Sequence, residues 1–184
     1  SAEEKLDTEV RRIAEEVKRI IDELRKVTEE VEKRIREINK TSEDTSREVK
    51  KTIREVLKRL TDEETVRRVE EKLRKLDKES RDTLRRSEET LRELKRRSDE
   101  TIRRLERILE KLEEEVEDMK RKPLDEDTVE EVLERLRRAL EKADKLVKDH
   151  IKRLKDVLRA IEEDHRRHLE RLRRMLEEIK KEVT

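Results

Sequence analysis

The fold is decided by the stretch LDTEVRRIAEEVKRIIDELRKVTEEVEKRIREI at residues 6–38, in which apolar residues return every three or four positions. The pattern continues to Leu60, with polar residues at two of its positions. From Leu6 to Leu60, 15 steps cover 54 residues, or 3.6 residues per step. An α-helix has about 3.6 residues per turn, whereas a strict heptad of about 3.5 gives a left-handed supercoil. The pattern therefore predicts a long, nearly untwisted helix. Its inward positions, called the seam, are Leu6, Val10, Ile13, Val17, Ile20, Leu24, Val27, Val31, Ile35, Ile38, Ser42, Thr45, Val49, Ile53, Val56 and Leu60.

The same spacing recurs in two further segments, and the connections between the segments are short. Residues 61–64 read Thr-Asp-Glu-Glu, in which the Thr and the Glu three positions later fit a capping box. Pro123 ends the second segment because it has no backbone N–H, and Asp125 is the expected N-cap of the third. Leu124 and Val129 have the spacing of a hydrophobic staple.

These boundaries predict helices over about 3–60, 63–121 and 126–183. Short connections join antiparallel neighbours. We therefore expect an all-α protein, an elongated, nearly untwisted, antiparallel (up-down-up) three-helix bundle that forms a single domain over 1–184. The apolar residues are just sufficient for one three-helix core, which favours a monomer.

Composition excludes several other classes of protein. Of 184 residues, 58% are charged and 29% apolar, and there is no Gly, Cys, Phe, Tyr or Trp. An average protein of this length has about 13 glycines. Such polarity is typical of disorder, but a disordered chain would not keep its apolar residues in register over three long segments. No apolar run reaches the roughly 18 residues of a membrane span, and no secretory signal pattern is present.

The charges indicate no nucleic-acid or membrane partner. The net charge is +1, and acidic and basic residues alternate along the whole chain. Nucleic-acid binders usually carry a basic face, and aromatic side chains provide base stacking. Helices that lie on membranes favour aromatic residues and a basic polar face. Neither pattern occurs, so we expect no nucleic acid, no membrane and no obligatory partner.

Small polar residues and histidines replace apolar residues at or beside the seams. Other surface positions are almost all Glu, Lys, Arg or Asp, so this concentration needs a structural reason. The residues assigned to a structural polar network are Asn39, Ser42, Thr45, Ser80, Thr83, Ser87, Ser98, Thr101, His150, His165 and His168.

The two turns predict which of these residues meet. Residue numbers of facing partners should add to about 125 for the first and second helices, and to about 248 for the second and third. A neutral imidazole has one donor and one acceptor and a hydroxyl can act as either, so both ring nitrogens can be hydrogen-bonded. Such layers penalise shifted registers. The expected layers are Ser42 with Thr83 and His165, Thr45 with Ser80 and His168, Asn39 with Ser87, and Thr28 with Ser98 and His150, with Thr101 a turn away.

Metal binding and catalysis are the sharper alternatives, and both are disfavoured. His165 and His168 lie on one helical face, but zinc needs three or four ligands and the facing residues are Ser and Thr. Glu162 and His165 form half of a di-iron motif without a second copy. Hydroxyls beside histidines resemble a nucleophile and its base, but no glycine or long loop is present to shape a pocket. We expect no catalytic residue, cofactor or metal.

A pH response is the more serious alternative. A buried neutral histidine must become charged as the pH falls, and its imidazolium then has no acceptor nitrogen. Stability would decrease below the unfolded pKa of about 6.5 if burial depresses the folded pKa.

Equal long helices, glycine-free turns, Glu/Lys/Arg surfaces and polar layers resemble de novo designed helical bundles with modular buried hydrogen-bond networks. The resemblance spans the whole chain and implies a structural scaffold that is not an enzyme. The alternative is an interaction or switch module that responds to pH, exchanges a helix or self-associates. A fragment of a spectrin-like structural protein is disfavoured by the lack of aromatic residues and glycine. The Ser-Ala start without Met is typical of a processed or tag-cleaved chain, so we expect a recombinant origin.

Overall fold

The computed structural model describes residues Ser1–Val183 and consists of three α-helices. They are α1 (Ala2–Arg59), α2 (Glu63–Lys120) and α3 (Glu126–Val183), each of 58 residues. No strand occurs in this part of the chain. The all-α three-helix bundle is confirmed, and the predicted helix ends differ from the observed ones by at most one residue.

The start of α2 corrects the sequence prediction of a Thr61–Glu64 capping box. The N-cap is Asp62, whose Oδ2 accepts from the backbone N–H of Thr65 at 3.3 Å and from its hydroxyl at 2.6 Å. These hydrogen bonds hold the pKa of the Asp62 carboxyl below its usual value. The helix begins at Glu63, one residue beyond the start that a Thr61 cap requires, and a carboxylate caps the positive helix end at least as well as a hydroxyl.

The start of α3 follows the prediction. Asp125 Oδ1 accepts from the backbone N–H of Thr128 at 2.7 Å, which is the geometry of an N-cap. Leu124 and Val129 pack in the same apolar cluster, as the hydrophobic staple requires. The chain before Asp125 leaves α2 at Lys120 and passes through Pro123.

The described chain divides into two compact units, and each unit contains parts of all three helices. Unit 1 comprises Ser1–Glu30 with Leu94–Lys155, and unit 2 comprises Val31–Glu93 with residues from Asp156 onward. The single domain expected over 1–184 stays a prediction. Unit 1 has an apolar core formed by Leu6, Ile13, Leu112, Val116, Val129, Val132, Leu133 and Leu136. Unit 2 has a core formed by Val49, Ile53, Val69, Leu76, Leu172 and Ile179.

Within each unit α1 and α2 are antiparallel, and their register is close to the predicted one. In unit 1 Thr28 lies beside Ser98, and in unit 2 Asn39 lies beside Ser87; in both pairs the residue numbers add to 126. Hydrogen-bonded Ser–His pairs between α2 and α3 add to 248. No helix of the described chain is long and apolar enough to cross a membrane.

Candidate functional site

The buried polar side chains are the candidate site, and in unit 2 one hydrogen-bonded chain joins all three helices. Ser46 Oγ on α1 lies 2.7 Å from Ser80 Oγ on α2, and Ser80 Oγ lies 2.8 Å from Nε2 of His168 on α3. Ser46 and His168 are buried and Ser80 is half-buried. These three side chains are called the Ser–Ser–His chain below.

The α1 member of this chain corrects the sequence prediction, which placed Thr45 beside Ser80 and His168. Thr45 is half-buried and takes no part in the chain, whereas Ser46 is 4% exposed. Adjacent helical residues point about 100° apart, so only one of the two can face α2. When the residue numbers of facing partners on α1 and α2 add to 126 instead of about 125, the partner of Ser80 is Ser46 and not Thr45.

Unit 1 contains the second connection between three helices. Thr28 Oγ1 on α1 donates to its own Leu24 carbonyl oxygen at 2.7 Å and lies 3.4 Å from Ser98 Oγ on α2. Ser98 Oγ lies 2.8 Å from Nε2 of His150 on α3. Thr101 Oγ1 donates to the carbonyl oxygen of Arg97 in its own helix. The structure therefore brings Thr28, Ser98 and His150 together and leaves Thr101 outside the connection.

A buried pair in unit 2 links α1 and α2 without a histidine. Ser87 Oγ donates to Asn39 Oδ1 at 2.6 Å, and the two side chains are 3% and 8% exposed. A buried amide oxygen that accepts from a buried hydroxyl satisfies two groups that would each cost about 1–3 kcal/mol unpaired. The pair matches the predicted partners.

The expected hydrogen bonds of the third histidine are absent, which is a further correction. Neither Nδ1 nor Nε2 of His165 has a partner among the described residues, although the side chain is 3% exposed. Thr83 is buried, but its Oγ1 accepts from Arg86 Nη2 at 3.3 Å. Ser42 is buried and forms no side-chain hydrogen bond within Ser1–Val183. Ser42, Thr83 and His165 therefore lie at similar heights along their helices, but their side chains are not hydrogen-bonded to one another.

Burial lowers the pKa of all three histidines below the ordinary value. Desolvation is the largest cause in each case. Arg153 and Arg97 lower the pKa of His150 further. The nearby carboxylate of Asp164 opposes the lowering of the His165 pKa. Burial therefore disfavours the charged form of each histidine.

The histidines supply only part of a set of metal ligands. No group of three or more His, Asp, Glu or Cys side chains that could hold a metal ion occurs within the described residues. His168 Nδ1 and both nitrogens of His165 are buried without partners, and His168 Nε2 is bonded to the hydroxyl of Ser80. The arrangement is suited to hydrogen bonding between helices.

Comparison of the chain with protein-family models, with curated proteins and with solved structures found no match. The contacts between the helices are therefore the basis on which a function can be proposed.

Proposed function

We propose that this chain is a de novo designed structural scaffold, not an enzyme, in which buried polar contacts specify the register of the three helices. The observation that carries the proposal is the Ser–Ser–His chain, in which one side chain from each helix meets the next at hydrogen-bonding distance. Thr28, Ser98 and His150 repeat the arrangement in unit 1.

The reason that such contacts specify register is the cost of breaking them. Sliding α2 by one heptad would bring Leu73 opposite His168 in one direction and Leu94 opposite Asn39 in the other. Either slide leaves a buried polar group unpaired, at about 1–3 kcal/mol for each group. Apolar residues alone would tolerate the slide, because one Leu or Val replaces another with little penalty. Equal helices of 58 residues and the absence of glycine support a designed origin.

The register proposal is tested by the distance between two spin labels. Lys40 and Glu88 are exposed residues of α1 and α2 in unit 2, and the chain has no native cysteine, so each can be replaced by a labelled cysteine. We expect one narrow distance distribution. Replacing Ser46, Ser80 and His168 together by Leu should add a second population displaced by roughly 10 Å, the length of one heptad. An unchanged single distribution in that variant would contradict the proposal.

The second candidate function is a pH-responsive switch, and His165 is the specific observation that favours it. Its two unpartnered nitrogens contribute no hydrogen bond to the neutral state, while a buried imidazolium there would lack any acceptor. Helicity and denaturant midpoints at pH 7.5 and pH 5.0 test this function. Equal midpoints at the two pH values would exclude it.

We also propose that the chain is a monomer. Val183 is the one large hydrophobic residue that is exposed in the described chain, so there is little apolar surface for a second copy. Sedimentation equilibrium across a hundredfold concentration range should give 22.6 kDa throughout. A mass that rises with concentration would favour the alternative, a module that exchanges a helix or self-associates.

A further inference from the structure

A polar groove of about 270 Å³ lies between α1 and α2 in unit 2. Its α1 wall repeats every fourth residue as Ser42, Ser46, Lys50 and Arg54, which places two hydroxyls and two cations in one row. Ser80, Arg81 and Leu84 contribute the α2 wall, and Glu43 and Arg47 of α1 also line the groove. The register-specifying role proposed above uses only Ser46 and Ser80, so the other seven lining residues have no part in it.

The hydrogen bonds behind the groove determine which way its hydroxyls donate. His168 Nδ1 is buried without a partner, and Nε2 is bonded to Ser80. Buried N–H groups without acceptors are rarer in proteins than acceptors without donors, so the proton of neutral His168 belongs on Nε2. Nε2–H then donates to Ser80, and Ser80 donates to Ser46. In that arrangement the hydroxyl of Ser46, which lines the groove, has no acceptor among the described residues and can donate to a ligand there.

Ser42 supplies a second hydroxyl without a partner. It is 7% exposed, lines the groove, and has no side-chain hydrogen bond within Ser1–Val183. Ser42 and Ser46 lie one helical turn apart, so two donors are directed to the same space. Two convergent hydroxyl donors beside cations fit a ligand that accepts several hydrogen bonds and carries negative charge.

The charges around the groove leave room for an anion. Lys50 and Arg81 both pair with Asp77, which is the acidic neighbour on α2. Arg54 forms no ion pair among the described residues, although its charge helps to lower the pKa of Asp77. Glu43 is the acidic residue that lines the groove. An incoming anion would therefore meet Arg54 and share Lys50 and Arg81 with Asp77.

From these observations we propose that the groove binds a small tetrahedral oxyanion of the sulfate or phosphate class. Ser42 and Ser46 donate to two of its oxygens, and Lys50, Arg54 and Arg81 neutralise its charge. The volume accommodates such an ion with its remaining water molecules, because one water occupies about 30 Å³ of liquid. The lack of aromatic side chains gives a nucleobase nothing to stack on.

Sulfate titration followed by ¹H–¹⁵N NMR tests the proposal on the full chain, with chloride added to keep the ionic strength constant. We expect saturable shifts at the backbone amides of residues 42–54 and 80–84, and displacement of sulfate by inorganic phosphate. Ser42→Ala removes a donor without breaking an internal hydrogen bond and should weaken sulfate binding about tenfold, the value of one charge-assisted hydrogen bond. Arg54→Gln should weaken it by at least about threefold.

Two variants complete the experiment. Arg36→Gln removes an exposed cation of α1 that does not line the groove, and it should leave sulfate affinity unchanged. Asp77→Asn removes the competing carboxylate and should tighten binding. Non-saturable shifts, shifts spread over the whole surface, or equal losses for Arg36→Gln and Arg54→Gln would overturn the proposal and indicate nonspecific ion binding.

Discussion

Ser80 Oγ lies 2.8 Å from His168 Nε2 and thereby connects α2 to α3 in unit 2. Because Ser46 lies 2.7 Å from the same oxygen, one hydroxyl serves two partners on two other helices. Removing a shared hydroxyl leaves two polar groups unpaired, which makes this position more sensitive than an ordinary serine.

Ser80→Ala should lower the free energy of unfolding by about 1–3 kcal/mol, because His168 Nε2 then has no partner in a buried position. Guanidinium denaturation at pH 7.5 measures the change. Thr90→Ala is the matched control: Thr90 Oγ1 donates to the carbonyl oxygen of Arg86 in its own helix, so little effect is expected. Equal decreases in the free energy of unfolding for the two variants would show that the contact between helices stabilises the protein no more than a hydrogen bond within one helix.

His165→Leu should raise the free energy of unfolding by about 1–3 kcal/mol, since it replaces a buried side chain that has two unpartnered nitrogens by an apolar one. His168→Leu is the comparison, because that change breaks the bond to Ser80 and should give a smaller gain or a loss. Denaturant midpoints with an unchanged m-value measure both. A lower stability for His165→Leu than for His168→Leu would contradict the structure at this position.

The protein should lose stability between pH 7.5 and pH 5. Desolvation lowers the folded pKa of each histidine, so the unfolded chain binds more protons in this range. The stabilisation is complete above the unfolded pKa of about 6.5 and is lost as the pH falls from there through the lower folded pKa. Each histidine whose pKa is lower in the folded state than in the unfolded state contributes to this loss.

Urea midpoints at several pH values measure this dependence. The variant in which His150, His165 and His168 are all replaced by Leu is the control, and its midpoint should change much less over the same range. A midpoint that falls equally in both proteins would assign the dependence to surface carboxylates.

Asp62→Ala should lower the thermal midpoint measurably, because it removes the acceptor for the Thr65 backbone N–H at the start of α2. Thr61→Ala should have little effect, since Thr61 lies outside the cap. Circular dichroism melts of the two variants decide between Asp62 and Thr61 as N-cap. A larger decrease for Thr61→Ala would restore the capping box predicted from the sequence.

Local rules account for how well the helices could be predicted. The apolar period, Pro123 and Asp125 act within a few residues of the chain, so helix ends came within one residue of the structure. The short connections allow the approximate register to be predicted, and Asn39 with Ser87, Ser98 with His150 and Ser80 with His168 are adjacent as expected. Counting along helices of constant rise is sufficient for this step.

The contacts of the candidate site could not be predicted by counting residues along the helices. Thr45 and Ser46 are adjacent polar residues with similar helix propensity, and which one faces α2 depends on a rotation that the packing of all three helices decides. His165 and Thr83 lie at similar heights, yet Thr83 accepts from Arg86 and His165 remains unpartnered. Hydrogen bonds require about 3 Å and a favourable angle, which residue spacing does not determine.

The sequence by itself determined three helices, their ends and, to within about one residue, which positions face each other, because the 3.6-residue period and the turn residues act locally. Only the tertiary structure decided that Ser46 joins Ser80 and His168, that both nitrogens of His165 are buried unpaired, and that Ser42 and Arg54 line one groove. These features depend on side-chain direction and on distances of a few ångströms between helices, which are fixed only when the three helices pack together.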